Sequence, residues 1–169
     1  MQALAEVDPC AQGDDPPVMP ANASPAISVL LRWLFVLALV CAAVWGAWTF
    51  GRAQELQRGA QLYAEHCAAC HGAQMEGQPD WQIMGEDGVL PAPPHDETGH
   101  TWHHDDAMLT DYIRRGGQAV LDDLGVRMTS GMPAFGSILE HDDITAILAF
   151  IKSTWPARIQ ALQAERNDN

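Results

Sequence analysis

Residues 67–71 read Cys-Ala-Ala-Cys-His, and this motif restricts what the chain can become more than any other stretch. Two thiols three residues apart, followed directly by an imidazole, are typical of covalent c-type haem attachment. Each thiol can add to one vinyl group of the same porphyrin, and His71 then lies under the ring with a nitrogen aimed at the iron. We therefore expect one haem c, attached through Cys67 and Cys70 and ligated by His71.

Two other interpretations of the cysteine pair agree less well with the surrounding sequence. A structural zinc site usually needs four nitrogen or sulfur ligands, and the remaining cysteines, Cys10 and Cys41, lie far upstream. A thioredoxin-like redox pair is expected near a βαβ unit, and the residues around the motif show no strand pattern. Haem attachment remains the interpretation that the flanking sequence favours.

An apolar segment precedes the motif, and we predict a transmembrane anchor over residues 26–50. From Ile27 to Phe50 only Ser28 and Arg32 interrupt it, and a helix of this length spans about 36 Å, enough for a hydrocarbon core of about 30 Å. A cleaved signal peptide has a shorter apolar region after a positively charged start, whereas residues 1–31 contain no Lys or Arg. Cleavage near Gly51-Arg52-Ala53 remains the alternative.

The charge balance excludes one class of partner. The chain has 22 Asp and Glu residues against 9 Lys and Arg, whereas nucleic-acid binding relies on clustered basic side chains. Residues 1–25 are rich in Ala, Pro and Asp and show no periodicity, so we predict a disordered acidic tail there. We expect no nucleic-acid partner.

Helical periodicity follows the anchor at three places, residues 54–66, 105–115 and 141–155. The segments between them, residues 72–103 and 116–137, are rich in Gly and Pro and are predicted to be loops. Loops of this length are unusual in a small domain unless they serve a function, and enclosing a porphyrin is such a function.

Two further expectations concern the ends of this helical region. Gly59 would allow the first helix to cross the last closely, against Phe150. We predict that residues 157–169 form a helical extension after Pro156.

Further motifs make the chain resemble the class I c-type cytochromes over residues 53–156. They are Gly59-x-x-Leu62-Tyr63, Cys67-x-x-Cys70-His71-Gly72, Met132-Pro133-Ala134-Phe135-Gly136 and Ile144-x-x-Ile147-x-x-Phe150-Ile151-Lys152. The resemblance implies an all-α fold, a class I cytochrome c-like haem domain of three to five helices, here preceded by one N-terminal transmembrane helix.

The same resemblance implies the remaining ligands. Met132 matches the methionine whose sulfur is the second axial ligand, with Met128 as the competing candidate. A proline carbonyl is expected to accept a hydrogen bond from Nδ1 of His71, and either Pro91 or Pro93 could supply it.

By the same resemblance the protein would be an electron carrier and not an enzyme, membrane-tethered, with His71/Met132 ligation, in a bacterial respiratory or photosynthetic chain. Its partners would be a quinol-cytochrome c oxidoreductase, a terminal oxidase or both. Covalent haem attachment in this family takes place outside the cytoplasm, so the haem domain would face the periplasm from the inner membrane. Both a mobile carrier and a fixed subunit of a respiratory complex fit the sequence.

A histidine-rich stretch gives the alternative function. His95, His100, His103 and His104 fall within ten residues, together with acidic side chains, and imidazoles and carboxylates bind copper or zinc. A periplasmic copper-binding or sensing haem module is therefore the second hypothesis, against a loop that covers the haem edge with Trp102 packed on it. Arg114, Arg115 and Arg127 are candidates for neutralising the haem propionates.

Overall fold

The structure, a computed structural model, describes residues 25–168. These residues form six α-helices and no strand, so the prediction of an all-α fold is confirmed for this part of the chain. The helices are α1 (Pro25–His66), α2 (Ala68–His71), α3 (Asp106–Arg115), α4 (Gly117–Asp123), α5 (His141–Ser153) and α6 (Ala157–Asn167). The predicted acidic tail, residues 1–25, lies outside the described residues except for Pro25.

Helix α1 contains both the predicted anchor, residues 26–50, and the helix predicted over residues 54–66. Gly51 does not interrupt it, because glycine inside a helix costs only about 1 kcal/mol relative to alanine. The chain divides into two compact units between Val44 and Trp45, and the second unit holds the cysteine motif. By length and composition α1 is apolar enough to cross a membrane, and its side chains are exposed from Ala26 to Phe50.

Within the second unit, α1 crosses α5 at Gly59 as expected. A Cβ built on Gly59 would overlap the carbonyl oxygen of Ala146, lie 2.6 Å from its carbonyl carbon and lie 2.9 Å from Cβ of Phe150. Atoms at these distances are too close for a side chain of any size. The absence of a side chain at Gly59 therefore allows the two helices to touch through their backbones.

The core lies along one face of α5. The apolar residues that repeat at helical spacing over residues 141–155 are buried, with no member more than 5 % exposed: Ile144, Ile147, Leu148, Ile151 and Trp155. Tyr63 from α1 and Ile113 from α3 pack against it, and Ile159 of α6 belongs to the same cluster. The predicted C-terminal extension, residues 157–169, is helical over α6 and contributes to this core.

The region after α3 differs from the sequence prediction. Asp105 caps α3 by accepting a hydrogen bond from the backbone N–H of Met108 at 2.7 Å, and Gly116 ends the helix with φ of +82°. Residues 116–137 were expected to form a loop, yet α4 begins at Gly117 and buries Val120. Gly116 and Gly117 directly follow the last residue of α3. Because consecutive glycines are typical of a loop, the sequence did not indicate the seven-residue helix that begins at Gly117.

One acidic side chain connects three helices. Asp106 in α3 accepts hydrogen bonds from Nζ of Lys152 in α5 at 2.7 and 2.8 Å and from Nε2 of Gln163 in α6 at 2.7 Å. Gln163 is only 2 % exposed, so this carboxylate satisfies a buried amide donor. The contacts fix the N-terminal end of α3 relative to α5 and α6.

Candidate functional site

The cysteine motif lies where α1 ends and the short helix α2 begins. The backbone N–H of Cys67 donates to the carbonyl of Tyr63 at 2.9 Å, and the N–H of His71 donates to the carbonyl of Cys67 at 2.9 Å. This helical turn presents Cys67 against the core and leaves Cys70 exposed. Burial, reinforced by the neighbouring Cys70, raises the pKa of the Cys67 thiol to about 11. A reactive redox cysteine has a lowered pKa, so this environment does not favour a thioredoxin-like pair.

His71 is buried, with 8 % of its surface exposed. Its Nδ1 lies 2.8 Å from the carbonyl oxygen of Pro93, which selects Pro93 over Pro91 as the partner left open by the sequence. Burial lowers the pKa of His71, and the Pro93 hydrogen bond acts in the opposite direction. A carbonyl acceptor at Nδ1 places the proton there and leaves Nε2 as the unprotonated, metal-directed nitrogen.

The loop that carries Pro93 is drawn close to the motif by a glycine. Gly77 donates its N–H to the carbonyl of His71 at 2.8 Å, and its φ of +68° lies in the region that favours glycine. A Cβ at Gly77 would lie 2.7 Å from the carbonyl carbon of Pro93. Tyr63 adds a further hydrogen bond from its hydroxyl to the carbonyl of Gly72 at 3.0 Å. These contacts hold the proline carbonyl at the imidazole.

His95 stacks on His71, a contact that the sequence analysis did not identify. The two ring centroids are 3.9 Å apart with an interplanar angle of 21°. Nδ1 of His95 lies 2.8 Å from the hydroxyl of Thr101, and its carbonyl accepts a hydrogen bond from the indole of Trp155 at 2.7 Å. Burial, followed by the proximity of His71 and His100, lowers the pKa of His95 to about 3. His95 is therefore a neutral ring that supports the orientation of His71.

The other loop histidines contact aromatic side chains or one another. His100 stacks on Trp81 and meets His104 edge to face with centroids 5.6 Å apart, while His103 stacks on Trp102 at 3.7 Å. Within residues 25–168 no three His, Cys, Asp or Glu side chains converge on a point that could hold a metal ion. The geometry of the described loop thus gives no support to the alternative hypothesis of a copper or zinc site.

Met132 lies on a loop, residues 130–136, that runs along the C-terminal end of α3. Gly117 donates its N–H to the carbonyl of Met132 at 3.0 Å, and Phe135 donates to the carbonyl of Ile113 at 2.9 Å. Met132 packs against the same core as Cys67. Met128, the competing ligand candidate, is 37 % exposed and lies outside that core.

The buried indole N–H of Trp102 bears on whether this site suits a haem. Its indole Nε1 is buried without a hydrogen-bond partner in the described part of the chain, and such an unpaired donor costs about 1–3 kcal/mol. Trp102 packs against the same core as Cys67 and Met132. A haem propionate is an acceptor of the right kind for this N–H. Two thiols, an imidazole, a thioether and a free indole donor together suit haem c.

The arginines that were candidates for neutralising the haem propionates either pair with aspartates or lie exposed on the surface. Arg114 and Arg115 contact Asp111 at 3.3 and 2.8 Å, and Arg115 also contacts Asp123. Arg127 lies on the surface. Arg114 and Arg115 therefore serve as surface ion pairs in this structure.

Comparison with known proteins gives one match. The family model described as Cytochrome c covers residues 56–155, more than half of the chain. No curated protein and no solved structure matches the chain.

Proposed function

The chain belongs to the cytochrome c family, and we propose that it is a membrane-tethered monohaem carrier that transfers single electrons in a bacterial respiratory or photosynthetic chain. The family indicates a haem-based electron-transfer role. We further propose that the chain holds a single haem ligated by His71 and Met132, that a membrane helix tethers it, and that it acts in a respiratory or photosynthetic chain.

The observation that carries the proposal is the environment of His71. Its ring is buried, its Nδ1 is committed to Pro93 and its face is supported by His95. An imidazole held on two sides has little freedom except to present Nε2 in one direction, which is what an axial ligand requires. We assign His71 as the first axial ligand, with Cys67 and Cys70 as the covalent attachment points.

Met132 is the second axial ligand in this proposal. A thioether favours ferrous iron and raises the reduction potential. The backbone hydrogen bonds of its loop to Gly117 and α3 would hold the sulfur in place without a reactive open position. Two protein ligands suit electron transfer and disfavour chemistry on a bound substrate, which agrees with a carrier and not an enzyme.

The bound haem would supply a reversible one-electron iron couple. The protein would attach it through Cys67 and Cys70, offer the indole N–H of Trp102 to a propionate and exclude water with the core around Ile113 and Ile147. A dry, low-dielectric surrounding changes the relative stability of the two iron charges and thereby sets the potential.

The apolar part of α1 supports the tether. Residues 26–50 are long enough to span a bilayer, and we place the haem domain on the periplasmic side of the inner membrane. A quinol-oxidising complex and a terminal oxidase are the proposed partners. Retention of the full chain in carbonate-washed membranes, with its N-terminus intact, is the expected result, and release into the soluble fraction would refute the tether.

Absorption spectroscopy of the full chain tests the haem and its ligands. We expect haem that stays with the protein on a denaturing gel, together with the weak methionine–iron band of the oxidised state. Met132→Ala should keep the haem, lose the band and lower the potential, while the control Met128→Ala should change neither. Haem loss on the gel would refute the attachment, and loss of the band in Met128→Ala alone would refute Met132.

A further inference from the structure

A short segment, residues 85–93, contacts the chain next to each of the two proposed axial ligands. It ends at Pro93, whose carbonyl oxygen lies 2.8 Å from Nδ1 of His71. Earlier in the segment, Val89 forms an isolated parallel β-bridge with Thr129, just before the loop of the second ligand. We call residues 85–93 the brace, because this one piece of chain joins the surroundings of both ligands.

The brace is fixed at the end that contacts His71. The N–H of Gln78 donates to the carbonyl of Ala92 at 2.9 Å, and the N–H of Ala92 donates back to Oε1 of Gln78 at 2.8 Å. Gln78 directly follows Gly77, whose own N–H donates to the carbonyl of His71 at 2.8 Å. This end of the brace is therefore tied to the cysteine motif.

A turn within the brace holds Val89 in position. Gly85 donates its N–H to the carbonyl of Val89 at 2.9 Å, and a carboxylate oxygen of Asp87 accepts from the N–H of Val89 at 3.1 Å. Both backbone polar groups of Val89 thus have partners inside the brace. Because a β-branched side chain is also stiff at χ1, the methyl groups of Val89 have little freedom to move away from their neighbours.

Val89 packs on Gly131, the residue directly before Met132. A Cβ built on Gly131 would lie 3.2 Å from Cγ1 of Val89. Within the described residues it would meet no other atom within 4 Å, apart from atoms of its two chain neighbours. The side chain of Val89 is therefore the contact that covers Gly131.

The ligand loop is held elsewhere by hydrogen bonds of α4. Gly117 donates its N–H to the carbonyl of Met132 at 3.0 Å, and Oε1 of Gln118 accepts from the N–H of Ser130 at 3.0 Å. The hydroxyl of Ser130 in turn accepts from the N–H of Met132 at 3.2 Å. Helix α4 thus fixes the polar groups of the loop, and the brace adds a contact between apolar groups.

Gly131 is the residue of this loop that most needs such a contact. Glycine has more conformational freedom than any other residue, and Gly131 is exposed. A methyl group packed on it limits the backbone angles that the glycine adopts. Those angles decide where the side chain of the next residue, Met132, is placed.

We propose that Val89 is a positioning residue for the axial ligand Met132 and acts by packing on Gly131. This inference rests on the proposed function, which assigns Met132 to the iron. An external ligand binds only when Met132 has moved away, so its affinity reports the free-energy cost of moving the loop. Loss of the Val89 contact lowers this cost and raises the affinity by the same factor.

The test measures imidazole binding to the full-length, haem-loaded ferric protein by absorption titration. Val89→Ala should raise the affinity about fivefold, as expected from removing two partly buried methyl groups. Val126→Ala is the matched control, because it removes the same groups from an exposed side chain of the neighbouring loop, and it should leave the affinity unchanged. Val89→Ile keeps the branched carbon that covers Gly131 and should also leave it unchanged.

Hydrogen exchange gives a readout that does not depend on the iron. The amides of Met132 and Gly117 should exchange faster in Val89→Ala than in Val126→Ala, while the amides of α5 keep their protection. Equally faster exchange throughout the domain would show a general loss of stability and overturn the positioning role. Adding Gly131→Ala to Val89→Ala puts a methyl group back into the vacated space, and this double variant should recover much of the lost protection.

Met132→Ala separates this inference from the proposed function. It removes the competing sulfur and should bind imidazole more tightly than Val89→Ala does. If Met132→Ala binds imidazole no more tightly than the unchanged protein, the assignment of Met132 in the proposed function fails, and this inference fails with it. If Met132→Ala binds more tightly but Val89→Ala and Val126→Ala bind alike, only the role of Val89 is overturned.

Discussion

Gly59→Ala should destabilise the protein even though alanine is the better helix former. The new Cβ would lie 2.6 Å from the carbonyl carbon of Ala146 and 2.9 Å from Cβ of Phe150, whereas carbon atoms pack at about 3.5–4.0 Å. Backbone cannot rotate away as a flexible side chain can, so α1 and α5 must separate by roughly 1 Å, and overpacking of this kind costs about 1–3 kcal/mol.

The gain in helix propensity, about 1 kcal/mol, offsets part of this cost. We therefore expect the free energy of unfolding to fall by up to about 2 kcal/mol and the melting temperature to fall by up to about 10 °C. Circular dichroism during thermal unfolding of the haem-loaded full chain gives both values.

Gly51→Ala is the matched control in the same helix. A Cβ at Gly51 meets nothing within 4 Å, so this variant should gain about 0.5–1 kcal/mol from propensity alone. If Gly59→Ala were as stable as Gly51→Ala, the close backbone crossing of α1 and α5 would be refuted.

Three further perturbations test contacts of the same domain. Arg58→Ala removes a charged hydrogen bond of 2.9 Å to the mostly buried Asp143. Because the arginine is more than half exposed, urea denaturation, which does not screen charges, should show a loss of only about 1 kcal/mol, and no change would mean that water replaces the contact. Trp155→Phe leaves the carbonyl of His95 without its indole donor, so the same assay should show a loss of about 1–2 kcal/mol, absent if the carbonyl reaches solvent. The pKa of His95 is lowered to about 3, so below pH 6.5 the unfolded chain binds a proton that the folded chain does not. The free energy of unfolding should therefore fall as the pH falls from 6.5 towards 3, by up to about 1.4 kcal/mol per pH unit. His95→Gln should flatten this slope, and an unchanged slope would assign it to other groups.

Local patterns in the sequence were sufficient for the helices predicted over residues 54–66, 105–115 and 141–155, but not for α4, which lies in a predicted loop. The stripe from Ile144 to Trp155 repeats at the helical period, and Asp105 and Gly116 mark the two ends of α3. Gly59 could be assigned to a crossing because a glycine inside a helical pattern has few other uses.

The arrangement of the site depended on contacts that no local pattern encodes. Pro91 and Pro93 are equivalent as sequence, and only the turn at Gly77 decides that Pro93 reaches His71. His95 was grouped with three other histidines by proximity in the chain, whereas packing stacks its ring on His71. Among the described residues these histidines do not form a group that could hold a metal ion.

Helix α6 shows that a family boundary and a physical boundary need not coincide. The family match ends at residue 155, yet Ile159 is 1 % exposed, and Gln163 shares the carboxylate of Asp106 with Lys152. A chain shortened to the matched region would open a hole in the core and leave the carboxylate without its amide donor. The segment that completes the core is therefore longer than the segment that the family model matches, and Ile159 and Gln163 lie in the difference.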